Sequence, residues 1–329
     1  MNPLNRLTII YAMIIAATIS ANAQSSQIAT LFHDGKITNY TSGTALSEAL
    51  AAAEDGDVIS LSSGIFQAAD ITKNVTIRGA GMGYPELGGT TAPTILTGKF
   101  NIECPESANN SLTLEGLVHN EVITPHKADN ATILKCQFNQ FSTTSSSQDE
   151  WNNIRFIHCI ISEINSPNKT SVQFVNSVIS KNCNLSSSIS TKSFQFDNCV
   201  VYNNYNVCIS SMTNSIVVLQ RPSDYGPANN IEASSSLNNC IIAGCQKYEA
   251  VNGGNKFCNA SEIFSSEGLY NLSDTMKEFK GTDGKEVGIH GGSLPFSPVT
   301  TNLKISKFKV AERTTADGKL PIEIEIESL

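Results

Sequence analysis

The chain has 329 residues, of which 40% are hydrophobic and only 16% are charged, against an average charged fraction of about 25%. The 30 Asp and Glu residues outnumber the 22 Lys and Arg residues, which gives a net charge of −8. This composition is hydrophobic enough to form a core, and it excludes a coiled coil or a long helical array, both of which are rich in charge. It also excludes a nucleic-acid binder, because such proteins carry a basic surplus.

The N-terminus has the features of a Sec signal peptide. Arg6 precedes the apolar stretch 7–20, and the small-residue motif Ala21-Asn22-Ala23 follows it as a cleavage site. An uncleaved anchor helix is the alternative, although the stretch is short for a membrane span. Cleavage after Ala23 would leave 21 basic against 30 acidic residues, a net charge of −9. We therefore expect an exported protein with no transmembrane segment in its mature form.

The next segment, residues 44–66, predicts a short helix followed by a strand. Thr44 stands where a helix N-cap residue is expected. The apolar residues of the predicted helix form one stripe: Ala45, Leu46, Leu50 and Ala53. Asp55-Gly56-Asp57 ends the helix, and residues 58–61 begin a strand.

A weak repeat occupies the middle of the chain, and each unit has a small residue as its anchor. The anchors are Cys136, Cys159, Ser177, Cys199, Ser215 and Cys240. The residues immediately before the anchors are Lys135, His158, Asn176, Asn198, Asn214 and Asn239. Apolar and polar residues alternate on both sides, which is strand periodicity, and Asn at the junction tolerates a left-handed turn. One unit cannot bury its apolar face alone, so the repeat predicts stacked units that pair strand on strand in a parallel β-helix.

The chain has nine cysteines. Those of the anchor column are interpreted as small buried residues, reduced and inert, because Ser replaces them in the same column. A disulfide among the other cysteines, such as Cys245 with Cys258, remains an alternative.

Two segments resemble a known family. The helix-turn-strand entry with ITKNVTIRGAG (71–81) resembles the start of secreted pectin-lyase-like right-handed β-helix proteins. The Gly-rich segment GTDGKEVGIHGGSLPF (281–296) resembles the closing segment of secreted β-helix proteins from Gram-negative bacteria, many of unknown function. The resemblance covers roughly residues 40–300 and implies an all-β fold, a single-stranded right-handed parallel β-helix (solenoid) with an N-terminal capping helix. It also implies a periplasmic, outer-surface or extracellular protein of a Gram-negative bacterium.

These patterns divide the chain into three parts. Residues 1–23 form the signal peptide, 24–298 the β-helix domain with its caps, and 299–329 a C-terminal tail. The tail segments 303–310 and 320–327 predict a β-hairpin. We expect the hairpin to dock on the last coil; strand donation to a partner is the alternative.

Long loops on the wall of the predicted solenoid supply the glycan-binding candidates, because enzymes of the pectin-lyase-like family bind polysaccharides between such loops. The loop 141–153 and its flank contain Asp149, Glu150, Trp151 and Arg155. Trp stacks on sugar faces and carboxylates bind sugar hydroxyls; covering the coil edge is the structural alternative for Trp151. A second loop, 220–234, contains Arg221, Asp224 and Tyr225, which equally fit an ordinary surface loop.

The sequence favours polysaccharide binding over catalysis. It lacks the Asp-Asp pair of the family's hydrolases and the Arg-x-Pro-x-x-Arg motif of its pectate lyases, so we name no catalytic residue. A polysaccharide lyase or glycoside hydrolase is one alternative, and a structural or adhesin-like spacer is another. We expect no cofactor and no metal, because the histidines lack ligand spacing and Asp283 and Glu286 fit a plain turn better than a calcium loop.

Overall fold

The computed structural model describes residues 27–90, 92–107, 109–143, 149–167, 169–184, 192–203, 211–219, 230–231, 236–244, 247–248, 253–266, 269–300, 304–310 and 322–327. The predicted signal peptide, the candidates Arg221, Asp224 and Tyr225, and Cys245 lie outside these residues.

The described residues are mostly β-strand. The strands before residue 160 are β1 (Ala29–His33), β2 (Lys36–Tyr40), β3 (Val58–Leu61), β4 (Gly64–Gln67), β5 (Thr76–Arg78), β6 (Thr94–Thr97), β7 (Phe100–Glu103), β8 (Thr113–Glu115), β9 (Leu117–Lys127), β10 (Thr132–Leu134), β11 (Gln137–Ser142) and β12 (Glu150–Ile157). The later strands are β13 (Ile160–Asn165), β14 (Lys169–Val175), β15 (Val178–Asn184), β16 (Lys192–Asp197), β17 (Val200–Asn203), β18 (Ser211–Thr213), β19 (Ile216–Leu219), β20 (Asn230–Ile231), β21 (Leu237–Asn238), β22 (Ile241–Ala243), β23 (Lys247–Tyr248), β24 (Lys256–Cys258), β25 (Lys304–Val310) and β26 (Ile322–Glu327). The α-helices are α1 (Ala45–Ala52) and α2 (Asp274–Lys277), and 3₁₀ turns cover Pro85–Leu87 and Ala260–Glu262.

Parallel pairing of successive coils builds two long walls, which confirms the predicted parallel β-solenoid. Sheet 1 pairs its strands in the order β3, β5, β8, β10, β12, β14, β16, β18 and β21. Sheet 2 pairs its strands in the order β4, β6, β9, β11, β13, β15, β17, β19, β22 and β24. Each strand thus completes the hydrogen bonds of the strand before it.

Apolar side chains stack in columns inside the solenoid, in agreement with the alternation of apolar and polar residues in the repeat. In sheet 1, Phe156, Phe174 and Phe196 occupy one register position on successive coils. Their rings are stacked, with centroids 5.0 Å and 4.8 Å apart. All three are buried, and burying one such side chain contributes about 1.5–3 kcal/mol to folding. The columns therefore hold the coils in register.

The anchor residues form a fully buried column of free thiols and hydroxyls. Cys159 Sγ donates to the Ile157 carbonyl oxygen at 3.3 Å, and Ser177 Oγ donates to the Val175 carbonyl oxygen at 2.8 Å. Because both side chains donate to the carbonyl two residues earlier, Cys and Ser are interchangeable there. Burial raises the pKa of the Cys159 thiol to about 12, which makes it unreactive.

At the N-terminal end, β1 pairs antiparallel with β2 and with β3. Helix α1 contacts all four of the first strands, and its predicted apolar stripe is buried in the core. Thr44 stands at the N-cap position but forms no cap bond with its side chain; its hydroxyl donates to Glu48 instead. Lys73 Nζ from the next coil donates to the Leu50 and Ala53 carbonyl oxygens at the other end of the helix, at 2.9 and 2.5 Å.

The C-terminal part adds one coil that the repeat analysis missed. In this coil, β24 pairs with β22, and Asn255 takes the anchor position, accepting a hydrogen bond from Cys240 N at 2.9 Å. Strands β25 and β26 pair antiparallel in a separate two-stranded sheet. Cys258 is a free thiol. None of the helices in the described residues is long and apolar enough to cross a membrane.

Candidate functional site

The residues immediately before the anchors all adopt the left-handed conformation that the sequence predicts for them. Their φ angles lie between 41° and 54°. Non-glycine residues tolerate this region poorly, and Asn tolerates it best. The turns therefore form one line of side chains along the solenoid, between sheet 1 and sheet 2. We call this line the turn ladder; its members are Lys135, His158, Asn176, Asn198, Asn214 and Asn239.

A C-terminal strap, residues 280–297, runs back along the turn ladder. Asn239 Nδ2 donates to the Lys280 carbonyl oxygen at 3.1 Å. Asn214 Oδ1 accepts from Thr282 N at 2.8 Å. Asn176 Nδ2 donates to the carbonyl oxygens of Ile289 and Gly291 at 3.1 and 3.0 Å.

At the far end of the strap, His158 Nδ1 accepts from Ser297 N at 3.4 Å. Side chains of the turn ladder on different coils thus form hydrogen bonds with different segments of the strap backbone. The strap includes residues 281–296, the segment that resembles the closing segment of secreted β-helix proteins. In this structure it covers the side of the solenoid.

The strap and the residues before it bury the outer surface of sheet 2. On five successive coils one outward position is apolar and buried there, occupied by Ile160, Val178, Val200, Ile216 and Ile241. These side chains form a second apolar cluster with Val287 and Ile289 of the strap and with Ile263, Leu272 and Met276. Over these five coils the outer surface of sheet 2 is therefore closed to a ligand.

The outer surface of sheet 1 is an open wall of the described structure. Its central register column lies four residues before each of the first five anchors and continues toward the N-terminus. From that end, the column consists of Ile37, Phe32, Val58, Thr76, Thr113, Thr132, Arg155, Gln173, Gln195 and Ser211. All ten side chains are partly or fully exposed, and neighbours are about 4.8 Å apart because they stand on adjacent strands. We call this set the open column.

The open column changes character along its length. Ile37 and Phe32 are 64% and 41% exposed and form an apolar end. The middle and far end carry hydroxyl and amide side chains, with Arg155 as the one cation and no carboxylate among the ten residues. Of these ten residues the sequence singled out only Arg155, although the repeat has a polar residue four positions before every anchor.

The structure separates the candidates that the sequence placed together on the loop 141–153. Trp151 is 0% exposed; its Nε1 donates to the Pro125 carbonyl oxygen at 2.9 Å. Its ring contacts Phe141 edge to face at a centroid distance of 5.2 Å. No face of this ring can stack on a sugar. The alternative, that Trp151 covers the coil edge, describes this residue better.

Asp149 is also buried and is held by two polar neighbours. Its Oδ1 lies 3.1 Å from His126 Nδ1, and its Oδ2 accepts a hydrogen bond from Thr143 Oγ1. Glu150 is partly exposed and lies in register with Lys127 and Lys169. Only Arg155 of this group lies in the open column.

The described residues contain no group of three or more His, Cys, Asp or Glu side chains that would hold a metal ion. No protein-family model matches the chain, and no curated protein and no solved structure matches it. The parallel β-solenoid is thus established by the strand pairing, whereas the resemblance to pectin-lyase-like proteins stays a prediction.

Proposed function

We propose that the protein binds an extended polysaccharide along the open column of sheet 1. The observation that carries the proposal is the contrast between the two walls: sheet 2 is covered over five successive coils, and sheet 1 presents ten registered side chains to solvent. A sugar chain is an extended polymer with repeated hydroxyl groups. The regular spacing of about 4.8 Å lets successive sugar units meet equivalent side chains on successive coils.

The chemistry of the open column suits sugars. Thr and Ser hydroxyls and Gln amides both donate and accept hydrogen bonds, as sugar hydroxyls do. Arg155 adds a planar fork of donors. The exposed ring of Phe32 supplies an aromatic face at one end, in place of the buried Trp151.

Binding without cleavage is favoured by the make-up of the open column. Hydrolysis of glycosides generally needs a pair of carboxyl groups beside the scissile bond, and the ten residues contain no carboxylate. A polysaccharide lyase or hydrolase and a plain structural spacer remain the competing functions.

Affinity gel electrophoresis against a series of neutral and anionic polysaccharides tests the proposal. The wild-type protein should be retarded by at least one of them. The double variant Arg155→Gln, Gln195→Ala should bind about thirtyfold more weakly, since each of the two lost hydrogen bonds contributes about 1 kcal/mol. Gln67→Ala is the matched control, because Gln67 is an equally exposed glutamine on sheet 2.

Three outcomes decide between the functions. Unchanged retardation of the double variant would place binding elsewhere, and no retardation by any polysaccharide would favour the spacer. Appearance of reducing ends or of absorbance from unsaturated sugars during incubation would favour an enzyme.

The proposal includes export. A polysaccharide ligand requires the protein outside the cytoplasm, in the periplasm, on the outer surface or in the medium, and the segment 1–23 has the composition of a Sec signal. N-terminal sequencing of the protein purified from its native cells should begin at Gln24; a chain that retains Arg6 would contradict export by cleavage.

A further inference from the structure

Sheet 1 carries a second outward column beside the open column. It lies two residues before each anchor, and its central members are Leu134, Ile157 and Val175. They stand in register on three successive coils, so neighbouring side chains are about 4.8 Å apart. The residue before each of them is buried in the core, and all three are partly exposed on the outer wall. We call these three residues the aliphatic column.

The aliphatic column runs parallel to the middle of the open column. On the same three coils the open column carries a hydroxyl, a guanidinium and an amide, from Thr132, Arg155 and Gln173. The two columns are about 6.6 Å apart, because they are separated by two residues along each strand. This part of the wall thus offers hydrogen-bonding groups along one line and aliphatic carbon along a parallel line. Single exposed apolar residues are ordinary, whereas three neighbours in register form a contiguous apolar surface.

A carboxylate stands at each end of the aliphatic column. Glu115 pairs in register with Leu134, and Asp197 pairs in register with Val175. Glu115 is buried and forms an ion pair with Arg78 at 3.2 Å. The aliphatic surface is therefore three coils long, about 10 Å from its first to its last member, which limits it to a short run of sugar units.

We propose that the aliphatic column selects glycans with an apolar edge, formed by ring C–H groups or by methyl substituents, over glycans with a carboxylate on every unit. Because this selection acts on the ligand of the open column, it rests on the proposed function. Hydroxyl groups along one edge of the sugar chain meet the open column. The C–H groups of the neighbouring edge lose contact with water against the aliphatic column, which is favourable.

A chain with a carboxylate on every unit does not fit the same wall. Its successive carboxylates would lie against successive coils, where the two columns provide one guanidinium, that of Arg155, among six side chains. A charged group placed against aliphatic side chains loses hydration without gaining a partner, which is unfavourable. The carboxylate of Asp197 at the end of the aliphatic column adds repulsion.

Affinity gel electrophoresis with derivatives of one backbone tests the selection. Each neutral polysaccharide is compared with its own carboxymethyl derivative, as with pullulan and carboxymethyl pullulan. The derivative should bind at least about tenfold more weakly than a neutral glycan that retards the wild-type protein. Cellulose is compared as its methyl and hydroxyethyl ethers: stronger retardation by the methyl ether would assign the contact to methyl groups, and equal retardation would assign it to ring C–H groups.

The double variant Ile157→Thr, Val175→Thr tests the aliphatic column itself. Threonine keeps the β-branch that suits a strand and replaces aliphatic carbon by a hydroxyl, so the neutral glycan should bind about tenfold more weakly. Ile157→Val removes one methylene and should weaken binding about threefold; it gives a second measurement if the double variant does not fold. Ile65→Thr is the matched control, because Ile65 is an exposed isoleucine on sheet 2.

Equal binding of a neutral glycan and its carboxymethyl derivative would overturn the selection. A double variant that binds as tightly as Ile65→Thr would also overturn it. If Arg155→Gln, Gln195→Ala still weakens binding in that case, the proposed binding along the open column stands without the selection. No retardation by any polysaccharide would remove the proposed function and the selection together.

Discussion

At the scale of single residues, the turn ladder restricts the choice of amino acid most strongly. Four of its six members are Asn, and the exceptions are Lys135 and His158, with φ angles of 53° and 54°. A left-handed backbone conformation costs more free energy for Lys and His than for Asn. His158 is also 8% exposed. Burial, and to a lesser degree the charge of Lys135, lower its pKa from the ordinary 6.5.

The substitution His158→Asn should therefore stabilise the protein in mild acid. Because the pKa of His158 is lower in the folded chain, the unfolded chain takes up the proton first. Stability is then lost as the pH falls below about 6.5. Asn removes this loss and suits the backbone. Urea unfolding at pH 7.5 and at pH 5 should show a gain over the wild type that is larger at pH 5.

His158→Leu separates the two effects. It removes the same titration but leaves a residue that costs about 1–2 kcal/mol in a left-handed turn. It should therefore be less stable than His158→Asn at both pH values. Equal stability of the two variants would contradict the account of the turn ladder.

The sequence predicted those features that one residue type specifies by itself. An Asn before a small residue requires no distant partner, so the left-handed turns and the anchor column were found. The burial of Trp151 was harder to predict from the sequence, because Asn153 adopts a φ angle of 56° and bends the chain. The pairing of β12 with β14 also shifts register between Trp151 and Ile154, and simple alternation therefore fails there.

At the scale of elements, the strap is the feature that sequence reasoning could not place. Ile160 and Val178 are covered by Val287 and Ile289, which lie more than a hundred positions later in the chain. The local signal was two adjacent β-branched or aliphatic residues after five of the six anchors, which indicates a strand buried on both faces. It does not reveal the covering segment.

Replacing Asn176 by Gly tests how the strap is held. Glycine accepts the left-handed turn, so the variant removes mainly the two hydrogen bonds to the Ile289 and Gly291 carbonyl oxygens. We expect a loss of about 1–3 kcal/mol in unfolding free energy and faster protease cleavage within 280–297. Asn130→Gly is the control: Asn130 has φ 59° and accepts from the exposed Asn153 amide. Equal cleavage of the two variants would contradict the role assigned to Asn176.

At the scale of the whole molecule, two apolar clusters explain the low charge of the chain. One fills the solenoid, and the other lies between sheet 2 and the C-terminal segments. Sheet 2 is thus buried on both faces over much of its length, whereas the outer surface of sheet 1 is exposed along the open column. The low fraction of charged residues is therefore a consequence of the stacking of coils, of the turn ladder and of an outer wall with few charges.

Hydroxyl-radical footprinting with mass spectrometry tests the central claim, that sheet 1 has an open outer wall and sheet 2 a closed one. In the native protein, Phe32 and Ile37 should be oxidised readily, whereas Ile160, Val178 and Val200 should react only after unfolding. A polysaccharide that retards the protein should protect Phe32 and leave Ile65, an exposed residue of sheet 2, unprotected. Oxidation of Ile160 and Val178 as fast as that of Ile37 in the native protein would contradict the account.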